Sequence, residues 1–262
     1  MIRKLRKILI SVVVVLLIAA FSFFIWLQNK YVVPILVYHH VDYVLEGTLS
    51  LNSVSPSNFK RQMRYLRAHD FIILRLYELV TLIESGEPIP HKSVVVTFDD
   101  GYEDNYKFAF PILRDLEIPA TIFVVSDIVG TPGYLTWDQI KEMQGHGIFI
   151  GSHSRRHTYL PDVTYEQQVD EIKTSKRIIE DKLGTSINSF AYPSGGFNNQ
   201  IKKIVKEAGY KAACATNRGF NKFNKDVYEL NRIRVKNLDN NFVLWVKLSG
   251  FYNLFRDVKN PE

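Results

Sequence analysis

From Val33 onward one pattern recurs: a short β-branched or apolar run, then a stretch with apolar residues three and four apart. Pro34-Ile-Leu-Val-Tyr reads as a strand, and Asn58–Ala68, with Ser57 as cap, reads as a helix carrying Phe59, Met63 and Leu66 on one stripe. Phe71–Leu74 and a helix over 76–84 repeat the unit, and Ser93-Val-Val-Val-Thr-Phe is the clearest buried strand. Asn105–Leu116 is helical with Pro111 interrupting it; Ala120–Val125, Ile148–Ile150, Ile187–Tyr192 and Lys211–Ala215 are strand-like. Between them lie helical patterns over 137–143, 165–183 and 200–208, the second and third ending at Gly184 and Gly209. Strands separated by helices argue for a parallel sheet. About seven such units predict an α/β fold, a distorted (β/α) barrel rather than an open sheet. Chemistry in such a barrel belongs at the carboxyl ends of the strands.

Residues 1–30 stand apart from this body, which spans 31–262 as one domain. Ile8 to Leu27 is a 20-residue run without charge, long enough at about 1.5 Å per residue to cross a bilayer. Arg3, Lys4, Arg6 and Lys7 precede it, which predicts a cytoplasmic N-terminus and an extracytoplasmic body. The run ends in bulky Phe-Ser-Phe-Phe-Ile-Trp-Leu, favouring an uncleaved signal anchor over a cleaved signal peptide; either places the body outside the cell membrane. The net charge of +6 is explained by the same segment. Removing its five cations leaves 28 basic against 27 acidic residues, so nucleic acid is not an expected partner. Cys214, the single cysteine, excludes an intramolecular disulfide and a cysteine zinc cluster, and reads as a small core residue.

Two strand ends carry the clearest chemistry. Thr97-Phe-Asp99-Asp100-Gly-Tyr102 places adjacent carboxylates after the strongest strand, where burial is unfavourable unless a cation or proton serves them. Taken alone, Asp-Asp-Gly is equally an ordinary turn. Gly151-Ser-His153-Ser-Arg-Arg-His157 follows another strand, and histidines four apart on a helical turn share a face. One carboxylate and two imidazoles make a tetrahedral set with a fourth position for water, and the second carboxylate is left to act as base. Phe190-Ala-Tyr192-Pro-Ser194-Gly-Gly forms a rigid turn after a third strand, and Tyr38-His39-His40 ends the first.

Together these motifs resemble the polysaccharide deacetylase family with the NodB homology domain, over roughly 34–235. Thr-Phe-Asp-Asp-Gly-Tyr and His-Ser-x-x-His match its first two motifs in order and context. The resemblance implies a divalent metal, zinc by expectation, held by Asp100, His153 and His157, with Asp99 as general base. It implies an oxyanion contact from the Ser194 backbone N–H, and Tyr192 and Trp137 are the further candidates for substrate contact. Two departures matter. Ala191 stands where the family often has arginine, and the usual late Leu-x-His is absent, since all seven histidines lie at or before 157. Tyr38-His39 matches the subgroup resembling poly-β-1,6-N-acetylglucosamine deacetylases, whose acid comes from the first strand; that implies His39 as general acid.

The expected activity is therefore metal-dependent N-deacetylation of an extracytoplasmic N-acetylglucosamine polymer, the β-1,6-linked one in preference. A peptidoglycan deacetylase is the nearest alternative. A non-catalytic polysaccharide-binding module, or an exopolysaccharide assembly protein using Phe220, Phe223, Trp245 or Phe251 as contact surface, are the others.

Overall fold

The computed structural model describes residues 2–28, 30–43, 52–216, 218–221, 223–256 and 259–261. Its centre is a parallel sheet. The strands in chain order are β1 (Ile35–Tyr38), β2 (His40–Val41), β3 (Ser53–Val54), β4 (Ile72–Ile73), β5 (Ser93–Phe98), β6 (Ala120–Val124), β7 (Ile148–Ser152), β8 (Ser189–Ala191), β9 (Ala212–Cys214) and β10 (Ile233–Arg234). Seven run side by side in the order β10-β1-β5-β6-β7-β8-β9, β4 adds to β5, and β2 pairs only with β3. All pairings are parallel. The two edges approach each other: Leu230 N–H donates to the Ala213 carbonyl, Ala215 N–H to Leu230 and Arg232 N–H to Thr216, at 2.8–2.9 Å. The expected distorted barrel is thus present.

The strands are buried on both faces, as parallel sheets require, and β5 and β6 are buried at every position. One core layer lies inside the curve, where Ile35, Val95, Phe123, Ala191 and Cys214 meet Leu76, Leu79 and Val80. The larger layer lies outside, between sheet and helices. The helices are α1 (Ile2–Gln28), α2 (Pro56–Ala68), α3 (Leu76–Ser85), α4 (Phe110–Asp115), α5 (Trp137–Gln144), α6 (Tyr165–Val169), α7 (Ser175–Leu183), α8 (Asn199–Glu207) and α9 (Asn241–Leu248). The α2 cap is Ser55 rather than the expected Ser57. Ser55 Oγ accepts the Asn58 N–H at 3.3 Å, and Pro56 fits the first turn, where no amide hydrogen is needed. The stripe Phe59, Met63 and Leu66 is buried as its spacing predicts.

Two helices depart from regular geometry. The helix expected to break at Pro111 begins instead as a π turn over Asn105–Ala109, after which α4 starts with Pro111 in its first turn. The expected single helix over 165–183 contains a second π turn, Asp170–Thr174, between α6 and α7, and ends at left-handed Gly184. Both π turns follow a motif-bearing strand, and such insertions are frequent at functional sites. Within α1, Leu9–Trp26 is apolar and long enough to cross a membrane, by length and composition.

Candidate metal centre and active site

Asp99 leaves the end of β5 with its side chain 2% exposed, and Arg232 meets it there. Arg232 is itself fully buried and enters from the residue before β10. Its Nη1 donates to Asp99 Oδ1 at 2.6 Å and Nη2 to Oδ2 at 2.7 Å; its Nε donates to the Ala215 carbonyl at 2.8 Å. Burial alone would raise the Asp99 carboxyl. The paired guanidinium outweighs it, together with the neighbouring histidines, and holds the group below the usual carboxylate range. Arg232 was not legible as a site residue: Leu230-Asn-Arg-Ile-Arg carries no motif. The one available signal was electrostatic. A buried Asp99 with alanine at position 191 requires a cation from elsewhere.

Asp100 sits one residue on, at φ 71°, a left-handed conformation, and both carboxylates approach His153 Nε2, Asp99 Oδ2 at 3.9 Å and Asp100 Oδ1 at 3.5 Å. His153 follows β7, which lies flush against its neighbours because residue 151 is glycine: a Cβ there would stand 2.4 Å from the Phe123 ring. The His153 Nδ1 must donate to the Ala191 carbonyl at 2.8 Å, which leaves the Nε2 lone pair facing Asp100 Oδ1 at 3.5 Å. His157 Nε2 lies 3.3 Å from the same oxygen. The shared helical face expected for the two histidines is not what joins them. Residues 153–159 form an irregular loop in which Ser154 and His157 are both left-handed, at φ 66° and 61°, and that path brings the rings to 4.9 Å.

The ligand atoms of Asp100, His153 and His157 all fall within 4.8 Å of one another. One carboxylate oxygen and two imidazole nitrogens, one with its tautomer fixed by a backbone carbonyl, fit a divalent ion of the zinc type. Burial lowers the His157 pKa and so favours the neutral ring that a ligand must be.

His39 lies between β1 and β2. Burial lowers its pKa, while the charges of Asp99, Asp100, Arg232 and Arg234 all act on its ring, and its buried Nδ1 has no hydrogen-bond partner among the described residues. Its backbone carbonyl accepts from Asn105 Nδ2 at 2.8 Å, and Asp104 takes the Val41 N–H and His40 Nδ1, so the first π-helical turn braces the loop that carries it. Tyr102 stacks between His40 and Tyr134, with centroids at 3.6 and 5.2 Å, and burial and the nearby Asp100 carboxylate push its hydroxyl pKa up.

The remaining expectations divide. Ser194 is exposed and left-handed, φ 53°, in the turn Pro193–Gly195. The Tyr192 side chain is fully buried, stacks on Phe197 and donates its hydroxyl to the Tyr228 carbonyl at 2.9 Å. Trp137 begins α5 and packs, partly buried, on the outer core. Of the aromatics considered as a contact surface, Phe220 and Trp245 are more than half exposed, whereas Phe251 packs edge-on against Tyr31.

Fold and site together define a parallel (β/α) barrel with a candidate mononuclear metal centre and a buried, arginine-paired carboxylate at its carboxyl end. A family model for polysaccharide deacetylase matches residues 86–213. YxkH of Bacillus subtilis, provisionally named a polysaccharide deacetylase, is 33% identical over 204 residues, 77% of this chain and 71% of its own. The poly-β-1,6-N-acetyl-D-glucosamine N-deacetylase of Staphylococcus aureus is 30% identical over 61% of this chain, which spans 59% of that protein's length. The structure of the Streptococcus pyogenes deacetylase PplD, in complex with acetate, superposes with a TM-score of 0.76 at 28% identity, covering 82% of this chain and 97% of that one. The chain belongs to the polysaccharide deacetylase family.

Proposed function

We propose that the protein hydrolyses the acetamide of an extracytoplasmic N-acetylglucosamine polymer, poly-β-1,6-N-acetylglucosamine in preference, with release of acetate. The observation that carries this reading is the convergence of Asp99, paired with buried Arg232, on the Asp100–His153–His157 donor set, with the His39 ring in the field of both carboxylates. A divalent ion bound there would supply a positive charge that acidifies water and polarises the acetyl carbonyl.

Asp99 takes the proton of the attacking water. Its depressed pKa makes it a weak base, so it accepts only from a strongly acidified water; base and metal centre therefore depend on each other. Arg232 keeps both carboxylate oxygens fixed while it does so. The Ser194 N–H stabilises the developing oxyanion. His39 gives its proton to the departing sugar amine, which would otherwise leave as an amide anion. The β-1,6 preference is supported by Tyr38-His39 on the first strand and by the name of the staphylococcal relative.

The test is acetate release by the full chain on β-1,6- and β-1,4-linked N-acetylglucosamine oligomers. Faster turnover of the β-1,6 series supports the reading; turnover confined to β-1,4 substrates assigns the protein to wall glycan instead. Asp99→Asn and His39→Ala should each lower the rate by about 10²–10⁴-fold while zinc stays bound. Full activity in both would overturn these roles.

A further inference from the structure

The π turn between α6 and α7 places Asp170 and Glu171, adjacent in sequence, against one loop. Glu171 is almost wholly buried, and its carboxylate receives four donors. Oε2 accepts the backbone N–H groups of Arg155 at 3.0 Å and Arg156 at 2.8 Å; Oε1 accepts Arg156 Nε at 2.7 Å and Thr158 Oγ1 at 3.2 Å. Asp170 adds contacts to Arg155 Nη1 and Arg156 Nη2, and Arg155 Nε reaches Asp127 at 2.9 Å. Every donor to Glu171 comes from residues 155, 156 and 158, which flank His157.

That loop needs outside support. Ser154 and His157 are non-glycine residues in left-handed backbone, a state that persists only where the surroundings over-determine it. Within the loop, the Ser154 hydroxyl accepts the His157 N–H at 3.0 Å. On one side Ser126 and Asp127 N–H donate to the Ser154 and Arg155 carbonyls at 3.2 and 3.0 Å, and on the other the π turn holds residues 155, 156 and 158. A buried carboxylate is costly unless each oxygen is satisfied, and here all the recorded satisfaction is spent on this loop.

We propose that Glu171 is a positioning residue for the candidate metal centre, fixing the backbone of 155–158 so that His157 Nε2 stays within reach of Asp100, and thereby setting metal affinity. The proposal rests on the metal reading of Asp100, His153 and His157.

It is tested on the full chain in detergent, stripped of metal and titrated with Co²⁺ and Zn²⁺, with the Co²⁺ absorption spectrum as a second readout. Glu171→Gln keeps the size but puts an amide donor against N–H groups. It should weaken both ions about 10–100-fold, as loss of an outer-shell partner does, and shift the Co²⁺ bands. Glu171→Asp, a milder change that keeps the charge, should fall between. Thr164→Ala removes the N-cap of the same helix without touching the loop, and should bind as the parent does. Parent affinity in the Glu171 variants, or an equal loss in Thr164→Ala, overturns the positioning role. A parent chain that binds neither ion overturns the metal reading itself.

Discussion

At the scale of single residues, two buried groups have opposite electrostatic fates. Asp99 keeps its charge because Arg232 is buried with it, and removing one partner of such a pair typically costs about 3–5 kcal/mol. Arg232→Met should therefore lower thermal stability sharply and abolish acetate release. Asp99→Asn/Arg232→Met should regain part of the stability and none of the activity. The sign of the pH dependence follows from the shift. In the parent, the Asp99 pKa lies below the ordinary aspartate value of 3.8, so its stabilising contribution is complete above that value and is lost as pH falls through the lower folded one. In Arg232→Met the burial of Asp99 is opposed only by the neighbouring histidines. The folded pKa rises, and the penalty grows with pH. Melting the metal-free proteins at pH 7 and pH 5 should show the gap between parent and variant narrowing at pH 5. Cys214 illustrates burial without a partner able to offset it: its thiol is pushed up to about 12. At pH 8 only about one molecule in 10⁴ is thiolate, so alkylation by iodoacetamide should follow unfolding rather than precede it.

At the scale of elements, the strands and most helices were legible because period and length agree with burial: Ser93–Phe98 is apolar on both faces and buried throughout. The π turns were not legible. Their sequences carry ordinary helical patterns, and the inserted residue is held by tertiary contacts, those of Asn105 to the His39 carbonyl and Glu171 to the 155–158 loop. The spacing of His153 and His157 predicts that they come together, but for a different reason, since left-handed loop backbone does what a helical turn was expected to do. The burial of the Tyr192 side chain was not legible, because a tyrosine beside a Pro-Gly turn reads the same whether its ring points inward or outward. The turn over 193–195 is tightly packed. Gly195 is left-handed at φ 72°, and a Cβ there would lie 2.3 Å from Thr216 Oγ1 and 2.9 Å from the Thr216 nitrogen. Gly195→Ala combines roughly 1–2 kcal/mol of backbone strain with that clash. It should lower the melting temperature and the rate of acetate release together; an unchanged rate would show that the turn does not contact the reacting group.

At the scale of the whole molecule, connectivity sets where the site faces. The chain passes from α1 through Tyr31, Val32 and Val33 into the amino end of β1, and Val32 N–H bonds the Gly250 carbonyl at 2.8 Å, so the tether joins the barrel at its amino-terminal face. The candidate metal centre stands at the carboxyl ends of β5 and β7, on the opposite face. If α1 spans the membrane, its attachment is to the face without the candidate site. The energetic side is checkable: arginine near the centre of a spanning helix costs about 2.5–3.5 kcal/mol by insertion scales. Leu16→Arg/Leu17→Arg should therefore move much of the protein from the carbonate-resistant membrane fraction to the soluble one. The barrel shares no core with that segment, whose residues 9–26 are all exposed, so activity on short soluble oligomers should stay at the parent level. Loss of that activity would show that α1 contributes to the site rather than only to its location.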